Sequence, residues 1–534
     1  MSKKKDRQNE EKFVLKSWRD FPPMNVSQGS MQHNLTGSWR FIKPLYEDKI
    51  PACQNACPCG NDIEGWIRLL KNGDLKGAYL HLKKEQPFPA VLGRVCFKYC
   101  EKACNRSFQD QSVNVRELEH FIGNSYSPVE LMNADHISEN GKRLAIVGSG
   151  PAGMAAAYFS RLLGFAVTIF ESQQLLGGIL RLGIPAYRLP HKTVTAEFDS
   201  LQNMGVDLKP NMTIGLKYPL AKLTDTYDYV FLATGRHESI QLRIQGEGQS
   251  RRVMSALGML RRVAKGDAVN LGNEVIVIGG GNTAIDAART ARRLGAEVTV
   301  IYRRSNTEMP AHPEEVADAS REGVHFNYLT APDRIEIDKY SNRLNLVCSE
   351  MTLGEPDVTG RCRPIRIPGK QFSIQSDSIL TAIGEAHDLS YLQGIIPLEV
   401  EMVPTDAGLR VETLVSGGAK IYAGGDITAS PFSVVHAVAA GKRAAIAIDC
   451  DRRGLNSIDE LDRITIGNGS AVSFTRYTKH ETSSPWRRNE KKVVDQSHIV
   501  YDYIEKRPPV YSESIPPDER IRSFEPTHLV YDSM

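Results

Sequence analysis

Two short apolar runs, Leu144-Ala145-Ile146-Val147 and Val275-Ile276-Val277-Ile278, each break into glycine and then into a helix-like stretch. Runs of this length and apolarity, bounded by glycine, predict buried parallel strands. The first leads into Gly148-Ser149-Gly150-Pro151-Ala152-Gly153 and the second into Gly279-Gly280-Gly281-Asn282-Thr283-Ala284. A strand feeding a tight glycine turn into a helix is the geometry that cradles a dinucleotide. The first glycine turns the chain, the second lets the backbone approach a pyrophosphate, and the last small residue lets helix pack on strand. Three further apolar runs end in glycine: Tyr229-Val230-Phe231-Leu232-Ala233-Thr234-Gly235, Ile379-Leu380-Thr381-Ala382-Ile383-Gly384, and the strand closed by Ala423-Gly424-Gly425-Asp426 before a helix beginning near Ser433.

Upstream the period changes. Ile63, Trp66, Ile67, Leu69 and Leu70, then Ala78, Leu80 and Leu82, recur at helical spacing and predict short helices with cysteines between them. The chain then divides into an N-terminal arm (1–52), a small helical domain (53–140), a nucleotide-binding domain made of 141–250 and 375–455, a second one inserted at 251–374, and a C-terminal extension (456–534). The discontinuity rests on the run at 377–384, whose echo of the Ala-Thr-Gly strand brings the chain back to the first domain. The prolines at 508–509 and 516–517 predict extended, loosely packed structure lying across another surface. The fold class is α/β, with two Rossmann-like domains behind a small α-helical one.

Composition narrows the function classes. In 534 residues the formal charge is only +3, which leaves no electrostatic footprint for nucleic acid. The Lys3-Lys4-Lys5 run is soon offset by Asp6, Glu10 and Glu11. No uninterrupted apolar run of about 18 residues occurs, so no membrane span is expected. Six of the nine cysteines fall between Cys53 and Cys104, a clustering that suits metal or redox work in a cytoplasmic protein better than a secreted disulfide frame.

The residue about twenty positions after each fingerprint reads the adenosine ribose. In the first half it is Glu171, whose carboxylate accepts ribose hydroxyls and suits FAD or NAD; its bland alternative is a solvated strand end. In the second half Arg303 and Arg304 follow Tyr302, and their guanidinium forks match a 2′-phosphate. FAD is therefore expected in the first half and NADPH in the second. Gly177-Gly178 offers bare backbone beside the flavin or pyrophosphate. Asp426 is placed to bond a ribityl hydroxyl, with the next helix N-terminus favouring charge on a reduced flavin. His436 reads as a packed helix residue. The cysteines run Cys53-x3-Cys57-x-Cys59 and Cys96-x3-Cys100-x3-Cys104, and beside a flavin an iron–sulfur cluster fits this thiol supply better than structural zinc. Cys348 and Cys362 are too far apart for the redox Cys-x-x-Cys of a thioredoxin-reductase-like enzyme.

From Cys53 to Asp449 the chain resembles the small, or beta, subunit of NADPH-dependent glutamate synthase and the related electron-entry half of dihydropyrimidine dehydrogenase. Besides the fingerprints, the resemblance is carried by Gly93-Arg94-Val95-Cys96, Gly183-Ile184-Pro185 with Arg188-Leu189-Pro190, Tyr302-Arg303-Arg304 with Met309-Pro310, and Ala423-Gly424-Gly425-Asp426. It implies glutathione-reductase-type domains, FAD that takes a hydride from NADPH, Arg188 near the cofactor, and 4Fe-4S clusters leading to a partner. The family's additional cysteines ahead of Cys53 are missing here, which implies one complete cluster. By the resemblance its ligands are Cys57, Cys96 and Cys100, with Cys104 or Glu119 as the fourth. Cys53 and Cys59 are left to join Cys104 in a second, incomplete or partner-completed cluster. The implied partner is a glutamate synthase large subunit, a ferredoxin or a 2-oxoacid oxidoreductase, and the chain alone is not expected to make glutamate. Reverse flow, from reduced ferredoxin to NADP, and a non-catalytic scaffold are the alternatives.

Overall fold

The structure is a computed structural model that describes residues 48–128, 137–215, 218–338, 341, 343–358, 360–398, 402–414, 418–428, 431–479, 488–508 and 510–530. The arm expected over 1–52 lies outside the described residues up to position 47. Lys49–Met534 form one compact unit, to which the three domains belong.

The helical domain forms as the 3.6-residue spacing requires. Asp62 caps the helix Ile63–Lys71 by accepting from Gly65 N at 3.3 Å, and Asp74 caps Leu75–Lys83 by accepting from Gly77 N at 2.8 Å. Their apolar faces bury Trp66, Leu70, Tyr79 and Leu82. Helices Pro89–Val95 and Val115–Ser125 cross so closely that a Cβ at Gly93 would strike the backbone of His120, and one at Gly123 the backbone of Ala90.

Two five-stranded parallel sheets come next along the chain. The first runs in the order Lys420–Ala423, Tyr229–Leu232, Arg143–Val147, Ala166–Phe170, Asp207–Lys209. The second runs His325–Asn327, Glu297–Ile301, Glu274–Ile278, Ser378–Thr381, Val253–Ser255. The strand Ser378–Thr381 thus corrects the boundary expected at 375. Ser378 pairs with Val275 and Thr381 with Ile278, so the strand completes the second sheet instead of returning the chain to the first. Its echo of the Ala-Thr-Gly strand has another physical cause. A Cβ on Gly148 would meet the carbonyl of Ala233, and one on Gly279 that of Ala382, so each fingerprint needs such a strand beside its first glycine. The echo is between equivalent strands of two similar domains. The two domains are joined by the antiparallel ribbon of Glu238–Ser239 with Glu385–Ala386.

The second domain carries an antiparallel addition of Thr330–Ile337, Leu344–Pro356 and Cys362–Ser376. The C-terminal extension is in part a correction as well. Its first stretch is packed, with helices Ser457–Arg463 and Phe474–Thr478 and with Phe474 and Tyr477 buried. Beyond it the chain lies along other surfaces, as expected: Tyr501 donates to Asn105 O at 2.9 Å and Ser512 to Glu117 at 2.8 Å. Among the described residues no helix is long and apolar enough to cross a membrane.

Candidate functional site

Both fingerprints open onto one cavity of about 1080 Å³. Its wall includes Gly148, Gly150, Pro151, Ala152, Glu171, Gly178, Arg188 and Gly235 from the first half, and Gly279, Gly281, Asn282, Thr283, Arg303 and Arg304 from the second. Asp426 joins them from the C-terminal end of the first sheet. Nothing lies within 4 Å of where a Cβ would stand on Gly150 or Gly281. Both loops therefore leave the bare backbone approach that a pyrophosphate requires, each at the start of a twelve-residue helix. Gly153 is not on the wall: its Cβ would strike the carbonyl of Gly148, so its role is packing helix on strand. Gly425, with φ +77°, lines a neighbouring cavity of about 120 Å³ that shares Asp426 and Ala437 with the large one.

Charge is distributed unevenly around this wall. Glu171 is buried, accepts from Ser149 N at 3.1 Å and Ser149 Oγ at 2.6 Å, and takes Gln173 N on its other oxygen at 2.8 Å. Ser149 Oγ in turn accepts from Gly177 N at 2.9 Å, so the carboxylate organises the whole loop it reads beside. The arginine pair separates. Arg303 is exposed on the cavity, whereas Arg304 is buried, donating to Cys362 O at 2.7 Å and to Asp357 at 3.0 Å. Both arginines line the cavity beyond the end of the strand Glu297–Ile301, but Arg304 is already engaged by Cys362 O and Asp357, which leaves Arg303 the more exposed of the two. Arg188, on the cavity wall, also grips Asp286 at 2.8 and 2.7 Å and lies 3.0 Å from Glu315, tying the two nucleotide-binding domains together. Burial pushes the Asp426 carboxyl up to about 6, against the pull of Arg236 and with Glu385 adding to the rise. The helix Val434–Arg452, capped by Ser433, presents its first turn to the cavity through Val434 and Ala437. His436 packs edge-on against Tyr99 at 5.0 Å, and Ser433 Oγ lies 2.7 Å from its Nδ1.

The thiols sit at helix ends in the helical domain. Cys57 closes Ala52–Ala56, held extended by Pro58, and Cys96 closes Pro89–Val95. Cys57, Cys96, Cys100 and Glu119 form one neighbourhood. Burial, then Glu119 and Cys57, push Cys96 up to about 12; burial, Cys57 and Cys96 raise Cys100, with Glu101 and Glu119 adding to it. Burial pushes Glu119 itself up to about 8, opposed by a hydrogen bond from Gln86. Cys53 belongs to a second neighbourhood, pushed up to about 12 by burial and then by Cys104 and Cys57. Cys59 is fully buried and donates to Val435 O at 3.5 Å. Thiols this crowded stay neutral unless a metal centre reverses the sign of the local field. Among the described residues no three His, Cys, Asp or Glu side chains converge to hold a metal ion. The fit to a cluster rests on donor chemistry: Cys57, Cys59, Cys96, Cys100 and the Glu119 carboxyl lie within electrostatic reach of one another, all of them buried except the half-buried Cys96.

Residues 142–441 match the family profile of the pyridine nucleotide-disulphide oxidoreductases, more than half of the chain. The chain belongs to that family. Residues 46–129 match dihydropyrimidine dehydrogenase domain II, a 4Fe-4S cluster domain. The beta subunit of NADP(+)-dependent formate dehydrogenase from Moorella thermoacetica is 37% identical over 439 residues, covering 77% of this chain and 62% of that one. The beta subunit of NADPH-Fe(3+) oxidoreductase from Geobacter sulfurreducens is 34% identical over 432 residues, covering 75% and 64%. The small chain of NADPH glutamate synthase from Escherichia coli is 31% identical over 418 residues, covering 74% and 88%. The chain thus spans under two thirds of the first two relatives and most of the third. This pyridine nucleotide-disulphide oxidoreductase carries FAD and NADP(H) in its two glycine-loop domains and a 4Fe-4S cluster in its helical domain.

Two residues join the parts of this oxidoreductase, and one of them, Phe97, escapes the sequence patterns. Val95 and Phe97, on either side of Cys96, both line the large cavity. Phe97 also stacks on His312 of the second nucleotide-binding domain at 5.7 Å and 12°. Val95 stands in the Gly93-Arg94-Val95-Cys96 motif, whereas Phe97 follows it and nothing local marks it as part of the cavity.

Proposed function

We propose that the protein oxidises NADPH and passes the two electrons singly to a partner protein, in the manner of a glutamate synthase small subunit. The balance is NADPH to NADP⁺, one proton and two electrons. FAD, when bound, couples the two-electron donor to one-electron carriers. The observation that supports this reading is the shared wall: Val95 and Phe97 flank the thiol of Cys96 and also line the cavity of both dinucleotide loops. Nicotinamide, flavin and cluster sites are therefore contiguous through one stretch of backbone.

In this reading Gly148, Gly150 and the helix Pro151–Leu162 hold the FAD pyrophosphate, and Glu171 accepts its ribose hydroxyls. Gly279 and Gly281 hold the nicotinamide dinucleotide, with Arg303 toward its 2′-phosphate. Cys57, Cys96 and Cys100 hold one cluster, with Glu119 or Cys104 as the fourth ligand; Cys59 lies in the same neighbourhood, since Glu119 acts on it as on these three thiols. Cys104 instead acts on Cys53. The cluster domain is 53–140, the FAD domain 141–250 with 385–455, and the NADPH domain 251–384. No side chain is needed as acid or base for hydride transfer; the protein contributes alignment and a dry wall. The partner is a glutamate synthase large subunit, a ferredoxin or a 2-oxoacid oxidoreductase, with electrons entering from NADPH.

Anaerobic titration of the reconstituted protein with NADPH tests the reading. The flavin absorption band is expected to bleach with one equivalent, followed by the paramagnetic signal of a reduced cluster. A flavin that stays oxidised overturns it, and a flavin reduced only by reduced ferredoxin reverses the direction.

A further inference from the structure

With Arg304 engaged by Cys362 O and Asp357, Arg303 is the exposed guanidinium that the second nucleotide loop would offer to a 2′-phosphate. Recognition of such a group ordinarily uses more than one fork. The cavity wall supplies the remainder from an unexpected place. Arg361, just before the antiparallel addition's third strand, and Arg366, within it, line the same cavity as Arg303.

The turn that carries Arg361 is built onto Arg304. Arg304 Nε donates to Cys362 O at 2.7 Å and Nη2 to Asp357 at 3.0 Å, so one buried guanidinium holds both ends of the turn. The turn closes on itself through Asp357 N to Arg361 O and Gly360 N to Asp357 O, each at 2.8 Å. Arg361 lies between the two points that Arg304 grips, and its place on the cavity wall follows from that grip. Arg366 is held by a different carboxylate: it lies 2.8 Å from Asp333, which also accepts from Gln371 at 3.0 Å. Asp333 and Asp357 each face an arginine, Arg366 and Arg304 respectively.

Building on the NADPH reading of the second fingerprint, we propose that Arg361 reads the 2′-phosphate together with Arg303, while Arg304 is a positioning residue that holds the Arg361 turn over the cavity. Arg366 adds positive charge to the same rim. Discrimination between NADPH and NADH then belongs to the antiparallel addition as much as to the end of the strand Glu297–Ile301. The addition gains a role beyond covering the sheet.

Calorimetric titration of the FAD-loaded protein with 2′,5′-ADP and with ADP separates the phosphate from the rest of the nucleotide. Wild type is expected to bind 2′,5′-ADP the more tightly. Arg361→Ala and Arg303→Ala should each weaken 2′,5′-ADP about tenfold and leave ADP within about twofold. Arg304→Ala should show the same selective loss, and in its background Arg361→Ala should add almost nothing, since the turn has already lost its anchor. A purely structural Arg304 would weaken both ligands alike and leave the Arg361 effect intact. If Arg361→Ala leaves 2′,5′-ADP unchanged, or weakens both ligands equally, the proposal is overturned while the NADPH site stands. If wild type does not distinguish the two ligands, the NADPH reading itself is overturned. Flavin content of each variant confirms that the first domain remains folded.

Discussion

Lys442 shows what a single buried charge does in this protein. It is almost fully enclosed, and its ammonium donates to Cys59 O at 2.6 Å, Glu85 Oε2 at 2.7 Å and Glu85 O at 3.2 Å. Glu85 also accepts from Ser473 Oγ at 2.6 Å, Phe474 N at 2.8 Å and Thr475 N at 3.0 Å. One ion pair thereby joins the thiol-bearing loop, the long C-terminal helix of the first nucleotide-binding domain and the packed part of the extension. Removing one partner leaves the other charged and dry. Lys442→Met is expected to destabilise the fold by about 3–5 kcal/mol, and Lys442→Met with Glu85→Gln to recover much of that loss. Urea melts of the two variants check this; equal losses would mean that packing, and not the stranded carboxylate, dominates. The pair is invisible in the sequence because 357 positions separate its members, and nothing local marks Lys442 or Glu85 as buried.

At the scale of elements, legibility follows the range of the interactions that define each one. The two strand–glycine–helix units are readable because their geometry is set by six adjacent residues, and Gly148, Gly150, Gly279 and Gly281 line the cavity. The sheet that Ser378–Thr381 joins is not readable, because an apolar strand carries no address and its partners lie about a hundred residues away. The burial of Arg304 is unreadable for a different reason: its partners Asp357 and Cys362 lie more than fifty positions away, and nothing local distinguishes it from Arg303. In the extension, the run Phe474–Thr478 is too short for its helical period to register, although Phe474 and Tyr477 are buried. The helix Val434–Arg452 is readable at its start, and Ser433 caps it by accepting from His436 N at 3.4 Å. Ser433→Ala is expected to cost about 1 kcal/mol. Because the freed N-terminus faces the cavity, the same variant should also retain less flavin on dialysis. Thermal melts and flavin absorbance measure the two effects separately, and a stability loss with full flavin retention would detach the cap from the site.

Across the whole molecule the C-terminal segment acts as a strap. Ser512 bonds Glu117 of the helical domain at 2.8 Å, Arg520 bonds Asp318 of the second nucleotide-binding domain at 3.0 Å, and Thr527 N donates to Tyr187 O of the first at 3.2 Å. Tyr187 is covered by Arg293 at 3.8 Å and Arg289 at 4.9 Å, whose charges are met by Glu322, and Glu322 stands beside Asp318 in the same network. Burial alone would raise the Asp318 carboxyl, but His528, Arg289 and Arg520 outweigh it and hold the group well below the usual carboxylate range. The sign follows from that depression. The unfolded carboxyl ionises near 3.8, so the stabilisation is present above that pH and is lost as pH falls below it toward the folded value. Asp318→Asn should therefore be less stable than wild type at pH 7 and converge on it in acid. Arg520→Ala, which removes one charged hydrogen bond to Asp318 but leaves Arg289, Arg321 and His528 facing it, should lose about 2 kcal/mol at neutral pH. Ending the chain at residue 512 should remove the ties to both nucleotide-binding domains at once, and hydrogen exchange should then quicken both in the helix Pro313–Arg321 and around Tyr187. Faster exchange in only one of those regions would mean that the strap serves a single domain; faster exchange in both, with the flavin and cluster retained, identifies it as the element that keeps the two nucleotide sites in register.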